Sequence, residues 1–226
     1  MLTVPHHPNT QAAELLDDGT PAWNAVDWSV INHDYQRVVE ICQARGSHEV
    51  PGGPIPEMLV TEKDAGASVQ TALAMGHRLA FIGSTDAHTG RPGDDMGRVI
   101  VICPELTREA IWDALYDRRC YATSGPRILL DFRLNGELMG REVTLDDAGT
   151  PRRIQWRVIG EGPLRKIDLL ANNIVIDSIE GKGRDELTGD ITIQSPLKET
   201  EWYYLRVFQE DGEMAWSSPI WVNKTN

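Results

Sequence analysis

The chain has no run approaching eighteen apolar residues, so it contains no candidate for a helix that crosses a bilayer, and no membrane partner is expected. Cysteine is scarce: Cys42, Cys103 and Cys120 are the three, without C-x-x-C spacing. An odd number without that spacing argues against a disulfide framework or a zinc knuckle and for reduced, buried thiols in a reducing compartment. The opening residues Met1 to Pro8 have neither a basic n-region nor an apolar h-region, so they are no secretory signal, and a cytoplasmic location is expected. Cations are also short, with 22 Lys and Arg against 34 Asp and Glu, a net charge of −12. Divided after Gly125, the counts are 9 and 17, then 13 and 17, so 9 − 17 = −8 and 13 − 17 = −4. Neither half is a basic arm, and no nucleic acid partner is expected, because a phosphate backbone needs surplus cations to replace its counterions.

What is present is a composition of 41% apolar residues in 226, enough for a real core. At ~100–200 residues per domain the length fits one large domain or two small ones, and the pattern along the chain decides. Up to Gly125, short aliphatic runs alternate with helical stretches. Leu2 to Pro5, Val38 to Cys42, Leu79 to Gly83 and Val99 to Cys103 read as buried strands. Ala65 to Met75 carries Val69, Ala72 and Leu73 at helical spacing, with Asp64 as a cap and Gly76 just past its end. Thr107 caps a second helix through Ile111, Trp112 and Leu115 to Arg118 and Arg119. Strand and helix in alternation predict parallel-sheet connections.

Beyond Gly125 the period changes to two. Ile128, Leu130, Phe132 and Leu134 lead into Asn135-Gly136. Ile154, Trp156 and Val158 repeat the alternation, Ile167 to Ala171 and Ile174 to Ile179 flank Asn172-Asn173, and Tyr203, Leu205 and Val207 precede Asp211-Gly212. A last strand runs from Ala215 to Val222. About seven short strands with turn signals and no helix predict an antiparallel, immunoglobulin-like β-sandwich. Trp156, Trp202, Trp216 and Trp221 all fall within strands, where core burial is the common fate. The expected organisation is an α/β unit over residues 1–125 and a β-sandwich over 126–226.

Residues able to do chemistry concentrate in the first half. Asp86 and His88 follow an apolar run, and residues i and i+2 of an extended segment point the same way, so a carboxylate and an imidazole stand side by side as divalent-metal ligands do. A capping Asp and a surface His would leave the same letters. In Pro5-His6-His7-Pro8 each proline favours an extended residue before it, so His6 and His7 should point to opposite sides and one of them face a site. Glu40 shares a strand face with Val38 and Cys42, where it either joins a metal cluster or ends a buried strand. His48 and Glu49 offer two more ligands. Arg91 is placed to clamp an anion beside Asp86 and His88, or is a solvated loop residue. His33 and His77 have no ligand spacing and read as structural.

The ordered set Pro5-His6-His7-Pro8, Val39-Glu40-Ile41 with Arg45-Gly46-Ser47 and Glu49, Phe81 to His88, and Arg119 to Gly125 resembles the later motifs of the PHP (polymerase and histidinol phosphatase) superfamily. It is most similar to the branch that includes carbaryl-type hydrolases, in which a β-sandwich follows the barrel. The resemblance implies a distorted (β/α)7 barrel holding two or three divalent metals, Zn, Mn or Fe, and hydrolysis of a small-molecule phosphate or related ester. It carries the family's His-Pro histidine onto His7, with His6 as alternate, and the closing Asp-x-His onto Asp86 and His88. Glu40 or Glu49 is a further carry-over.

The family pattern opens with an H-x-H strand, and this sequence has no H-x-H. A whole α/β barrel takes ~200–250 residues, and about 125 barrel-like residues would leave open sheet edges that proteins pair or cover. The expectation is therefore a partial barrel whose site is completed by a missing N-terminal half or by a second copy of the chain. The competing reading is a non-catalytic module in which the sandwich binds a carbohydrate or a protein surface.

Overall fold

The structure, a computed structural model, describes residues 1–12, 14–22, 24–44, 46–50, 53, 62–63, 65–86 and 97–225. The first part of the chain forms β1 (Thr10–Gln11), β2 (Val38–Gln43), β3 (Gly46–Ser47), β4 (Glu62–Lys63), α1 (Val69–Ala74) and β5 (Ala80–Gly83). Next come β6 (Arg98–Val101), α2 (Arg108–Tyr116) and β7 (Cys120–Thr123). The remainder is β structure: β8 (Leu129–Leu134), β9 (Glu137–Leu138), β10 (Glu142–Leu145), β11 (Arg152–Ile159), β12 (Leu164–Ala171), β13 (Ile174–Glu180), β14 (Glu186–Ile193), β15 (Glu201–Gln209), β16 (Met214–Ser217) and β17 (Ile220–Lys224).

Local chemistry accounts for the element ends. Ser68 caps α1 by accepting from the Thr71 N–H, Val69, Ala72 and Leu73 form the buried stripe, and Gly76 at φ +91° turns the chain away. The cap expected at Asp64 lies outside the described residues. Thr107 caps α2 through the Ala110 N–H at 3.2 Å. The Asn135-Gly136 and Asn172-Asn173 pairs adopt the left-handed conformations that two-residue hairpin turns require. The expected last strand divides into β16 and β17 at Ser218-Pro219.

The partial (β/α)7 barrel is overturned. The described residues are predominantly strand, and only β2 and β5 make a parallel pair in the first half, with Val39 opposite Phe81. The strands β6 and β7, joined through α2, pair antiparallel, with Ile100 opposite Tyr121. Aliphatic runs show that a strand is buried but not which way its neighbour points, so alternation with a helix gave the parallel pair β2 and β5 and failed at β6 and β7. Leu2 to Pro5 forms no strand; it lies alongside β2 through the Glu40 N–H to Pro5 O bond of 3.1 Å.

What forms instead is a sandwich with a third layer. A four-stranded sheet, β14-β11-β8-β9, faces an eight-stranded one made of the path β10-β17-β15-β16-β7-β6 together with β12 and β13, which join it through β15. Ile154, Trp156, Val158 and Phe132 of the smaller sheet meet Tyr203, Leu205 and Val207 of β15 in one core. The alternate residues Tyr204 and Phe208 turn to the other side with Trp216 and Trp221 and pack on Val39, Ile41, Phe81 and Leu73. The larger sheet is therefore covered on both faces, and its strands β6 and β7 come from before Gly125. At the junction of β5 with β6 the backbones come so close that a Cβ on Gly97, at φ +94°, would lie 1.8 Å from the Ser84 carbonyl oxygen.

A charge crosses the second core. Glu49 is fully buried and accepts hydrogen bonds from the Tyr204 hydroxyl at 2.6 Å, the Trp216 indole at 2.9 Å and the Arg206 guanidinium at 3.2 Å. Arg206 reaches on to Asp168 at 3.2 Å, which also holds the Ser178 hydroxyl and Lys166. Burial, reinforced by the carboxylate, pushes the Tyr204 phenol well above its usual range, so it stays a donor. Removing one partner of a buried pair costs about 3–5 kcal/mol, and a protein of this size loses about 2–4 °C per kcal/mol. Glu49→Ala is expected to lower the thermal midpoint by on the order of 10 °C, and Glu49→Gln by less, because it retains the shape and leaves Arg206 on Asp168. Calorimetric melts of the three proteins check this, and a Glu49→Ala midpoint equal to the parent's would refute the clamp.

Candidate functional site

The residues singled out by chemistry gather where β2 and β5 end. Glu40 of β2 is buried; one carboxylate oxygen accepts the His7 backbone N–H at 2.6 Å and the other accepts the Ser84 hydroxyl. His48 approaches the first oxygen at 3.8 Å from Nε2. Its Nδ1 lies 2.7 Å from the Asn9 amide oxygen, an acceptor, so Nδ1 carries the proton and Nε2 faces the carboxylate. Glu40 is thus the hub of three chain segments. Asp86, after β5, takes the Gln43 side-chain amide at 2.9 Å.

Two of these residues have unusual backbones. His7 has φ +33° and Asp86 φ +46°, both in the left-handed region that non-glycine residues enter at a cost of about 1–3 kcal/mol. The twist at His7 also defeats the parity expected from the flanking prolines: His6 and His7 do not diverge, and their ring centroids lie 4.0 Å apart. His6 is exposed and His7 half-buried. The Thr10 hydroxyl lies 2.8 Å from the His7 carbonyl oxygen and 2.7 Å from its ring Nδ1, which holds the imidazole in place.

Glu49 turns the other way, into the clamp with Arg206, Tyr204 and Trp216. His88 and Arg91 lie outside the described residues. Among the described residues, no group of three His, Cys, Asp or Glu side chains is arranged to hold a metal ion. The donor types at hand, an imidazole and carboxylates, suit a divalent ion in kind while supplying only part of a coordination shell. Ser84, Asn9 and Gln43 entered the cluster unannounced: their side chains carry no metal-ligand signature, and folding brings Ser84 to Glu40, Gln43 to Asp86 and Asn9 to His48.

His33 and His77, read as structural, are partners. His77 Nε2 lies 2.8 Å from the Trp28 carbonyl oxygen, and its Nδ1 lies 3.3 Å from His33 Nε2. Trp28 is buried in the second core, so the pair fastens the segment before β2. Burial lowers the His33 pKa, and His77, Arg37, Arg118 and Arg78 lower it further. With the folded value below the unfolded one, the unfolded chain takes the proton first, so this stability is complete above the usual histidine range and is lost as pH falls through it. Denaturant midpoints should therefore fall between pH 7.5 and 5.5 more steeply in the parent than in His33→Gln. Equal slopes would sink the assignment.

Comparison with known proteins gives one family match: residues 96–150 are similar to a family described as a protein of unknown function (DUF3604). An uncharacterised protein of Chlamydia trachomatis is 32% identical over 218 residues, covering 84% of this chain and 35% of that protein. One from Chlamydia pneumoniae is 31% identical over 215 residues, with the same shares of 84% and 35%. The chain thus spans about a third of the length of these relatives. Among solved structures, the fibronectin(III)-like modules of Clostridium thermocellum CbhA align with a TM-score of 0.31 at 15% identity, covering 41% of this chain and 93% of theirs.

Proposed function

We propose that this chain supplies one wall of the active site of a metal-dependent hydrolase acting on phosphate or related esters, with the remaining ligands contributed by further polypeptide. The reading rests on one observation: Glu40 ties the His7 backbone and the Ser84 hydroxyl together where β2 and β5 end, Gln43 of β2 holds Asp86 just beyond β5, and His7 and Asp86 have left-handed backbones. Strain of this kind persists where the surroundings over-determine a geometry, and it collects at functional sites.

In this reading His7 Nε2 and Asp86 are ligands to a divalent ion, with His88 alongside. Bound there, the ion would supply an activated water and neutralise charge developing on the ester. Glu40 acts through position: its carboxylate fixes the His7 backbone and the Ser84 hydroxyl, so the loops after β2 and β5 keep one spacing. Gln43 holds Asp86 from behind, leaving the carboxylate one preferred orientation. Arg91 would receive the anionic part of the substrate.

The proposal separates the chain from the completed site. The chain alone should be close to inactive on phosphomonoesters, phosphodiesters and aryl carbamates, and should bind at most about one Zn²⁺ or Mn²⁺ weakly, because too few ligands converge. Joined to the upstream part of a longer relative, it should show hydrolysis that chelation abolishes and that Asp86→Ala or His88→Ala lowers by orders of magnitude. Glu40→Gln should reduce turnover less than either. A completed protein indifferent to Asp86→Ala and His88→Ala refutes the site, and full metal-dependent turnover by the chain alone refutes the shared wall.

A further inference from the structure

A cleft of about 450 Å3 opens where the two sheets part, between β6 and β8, within the ~300–1,000 Å3 range of small-molecule pockets. Its walls are Ile100, Ile102, Leu129, Leu138 and Ile159. Leu129 is 56% exposed, an unusual fate for a leucine beside other aliphatic side chains. The Tyr121 hydroxyl donates to the Ile128 carbonyl at 2.9 Å and accepts the Leu130 N–H at 3.3 Å, so it caps the backbone edge of β8 and is itself fully used. A peptide strand therefore finds no free ladder on β8, whereas a hydrocarbon chain needs none.

The rim is polar. Asp131, Arg133 and Arg157 border the cleft, and each arginine has a carboxylate beside it. Arg133 is committed to Asp131 at 2.9 Å and to the Gly136 carbonyl. Arg157 spends Nε on Glu186 at 2.7 Å, and its two Nη groups make no hydrogen bond among the described residues. Paired Nη donors beside an apolar slot match a carboxylate with an aliphatic tail. All the lining except Arg157 and Ile159 falls within residues 96–150, the stretch similar to the family model.

We propose that this cleft binds a small aliphatic carboxylate, its tail between Ile102, Leu129 and Ile159 and its head on Arg157. The site is separate from the cluster around Glu40 and does not depend on hydrolysis.

Cys103 provides the readout. Its half-buried thiol lines the cleft and donates to the Glu105 carbonyl at 3.2 Å. Cys42 and Cys120 are buried, and burial pushes both thiols up, that of Cys120 to about 12, so N-ethylmaleimide should label Cys103 first. Labelling rates of the full chain, followed by intact mass, would be measured with octanoate, octanol and octyltrimethylammonium in turn. Octanoate should slow labelling several-fold at concentrations where the quaternary ammonium does nothing. Arg157→Gln, at an exposed position, should raise the octanoate concentration for half-protection by about tenfold or more, towards that of octanol. Leu129→Asp should abolish protection by both. Absence of protection by octanoate overturns the site, and so does Leu129→Asp protected like the parent. Equal protection by the quaternary ammonium, or an Arg157→Gln protein protected by octanoate as well as the parent, overturns the carboxylate assignment. Should Leu129→Asp melt below the parent, Arg157→Gln decides alone.

Discussion

The eight-stranded sheet must bury both of its faces, and everything else is arranged around that requirement. A sandwich needs only one apolar face per sheet, the other being left to water. Here β15 sends Tyr203, Leu205 and Val207 to one side and Tyr204 and Phe208 to the other, and both sides are covered. The second side is closed by β2, β5 and α1, a layer too thin to hold a core without the sheet beneath it. Arg206 occupies the same side between Tyr204 and Phe208, so a cation is carried into that interior. Glu49 is the carboxylate that answers it. Its desolvation is offset only because Tyr204, Trp216 and Arg206 converge on its two oxygens.

That arrangement explains which features could be read from the sequence. The sandwich strands were legible because a sheet covered on its inner face writes a period of two, and Asn135-Gly136 and Asn172-Asn173 punctuate it where backbones must turn left-handed. The strands β2 and β5 were legible as buried, since an aliphatic run needs no partner to show burial. Direction was not, because the partner of β6 proved to be β7 in antiparallel register. Glu49 looked like a ligand for the reason that it works as a clamp: a carboxylate beside a buried strand must be compensated, and the letters do not say by what. Its partners lie more than 150 residues onward, beyond the reach of any local pattern.

The same limit applies to the site. Glu40, His7 and Asp86 were identifiable by chemical type. The backbone twists at His7 and Asp86 were not, since the prolines around His7 argue for an extended chain. Ser84 carries no signal of its own and gains a role only when the ends of β2 and β5 meet, and Asn9 gains one only beside His48. His33 and His77 were set aside for want of ligand spacing, yet 44 residues apart in sequence they are joined through facing ring nitrogens, where burial and nearby cations lower the His33 pKa.

Rigidity and strain are then two sides of one construction. Left-handed backbones at His7 and Asp86 persist only if their surroundings cannot relax, and those surroundings are held from below. Cys42 of β2 and Phe81 of β5 are tied by Thr123 of β7 and Ser218, while the Ser84 and Gly97 backbones meet so closely that no side chain could separate them. The strand ends that carry the site therefore rest on the larger sheet, and the sheet is kept flush by the Glu49 clamp. The cleft lined by Ile100, Leu129 and Ile159 lies at the opposite condition, where β6 and β8 part and neither sheet fills the gap. One sheet edge is packed until its backbone is strained, and another is left open enough to receive a ligand.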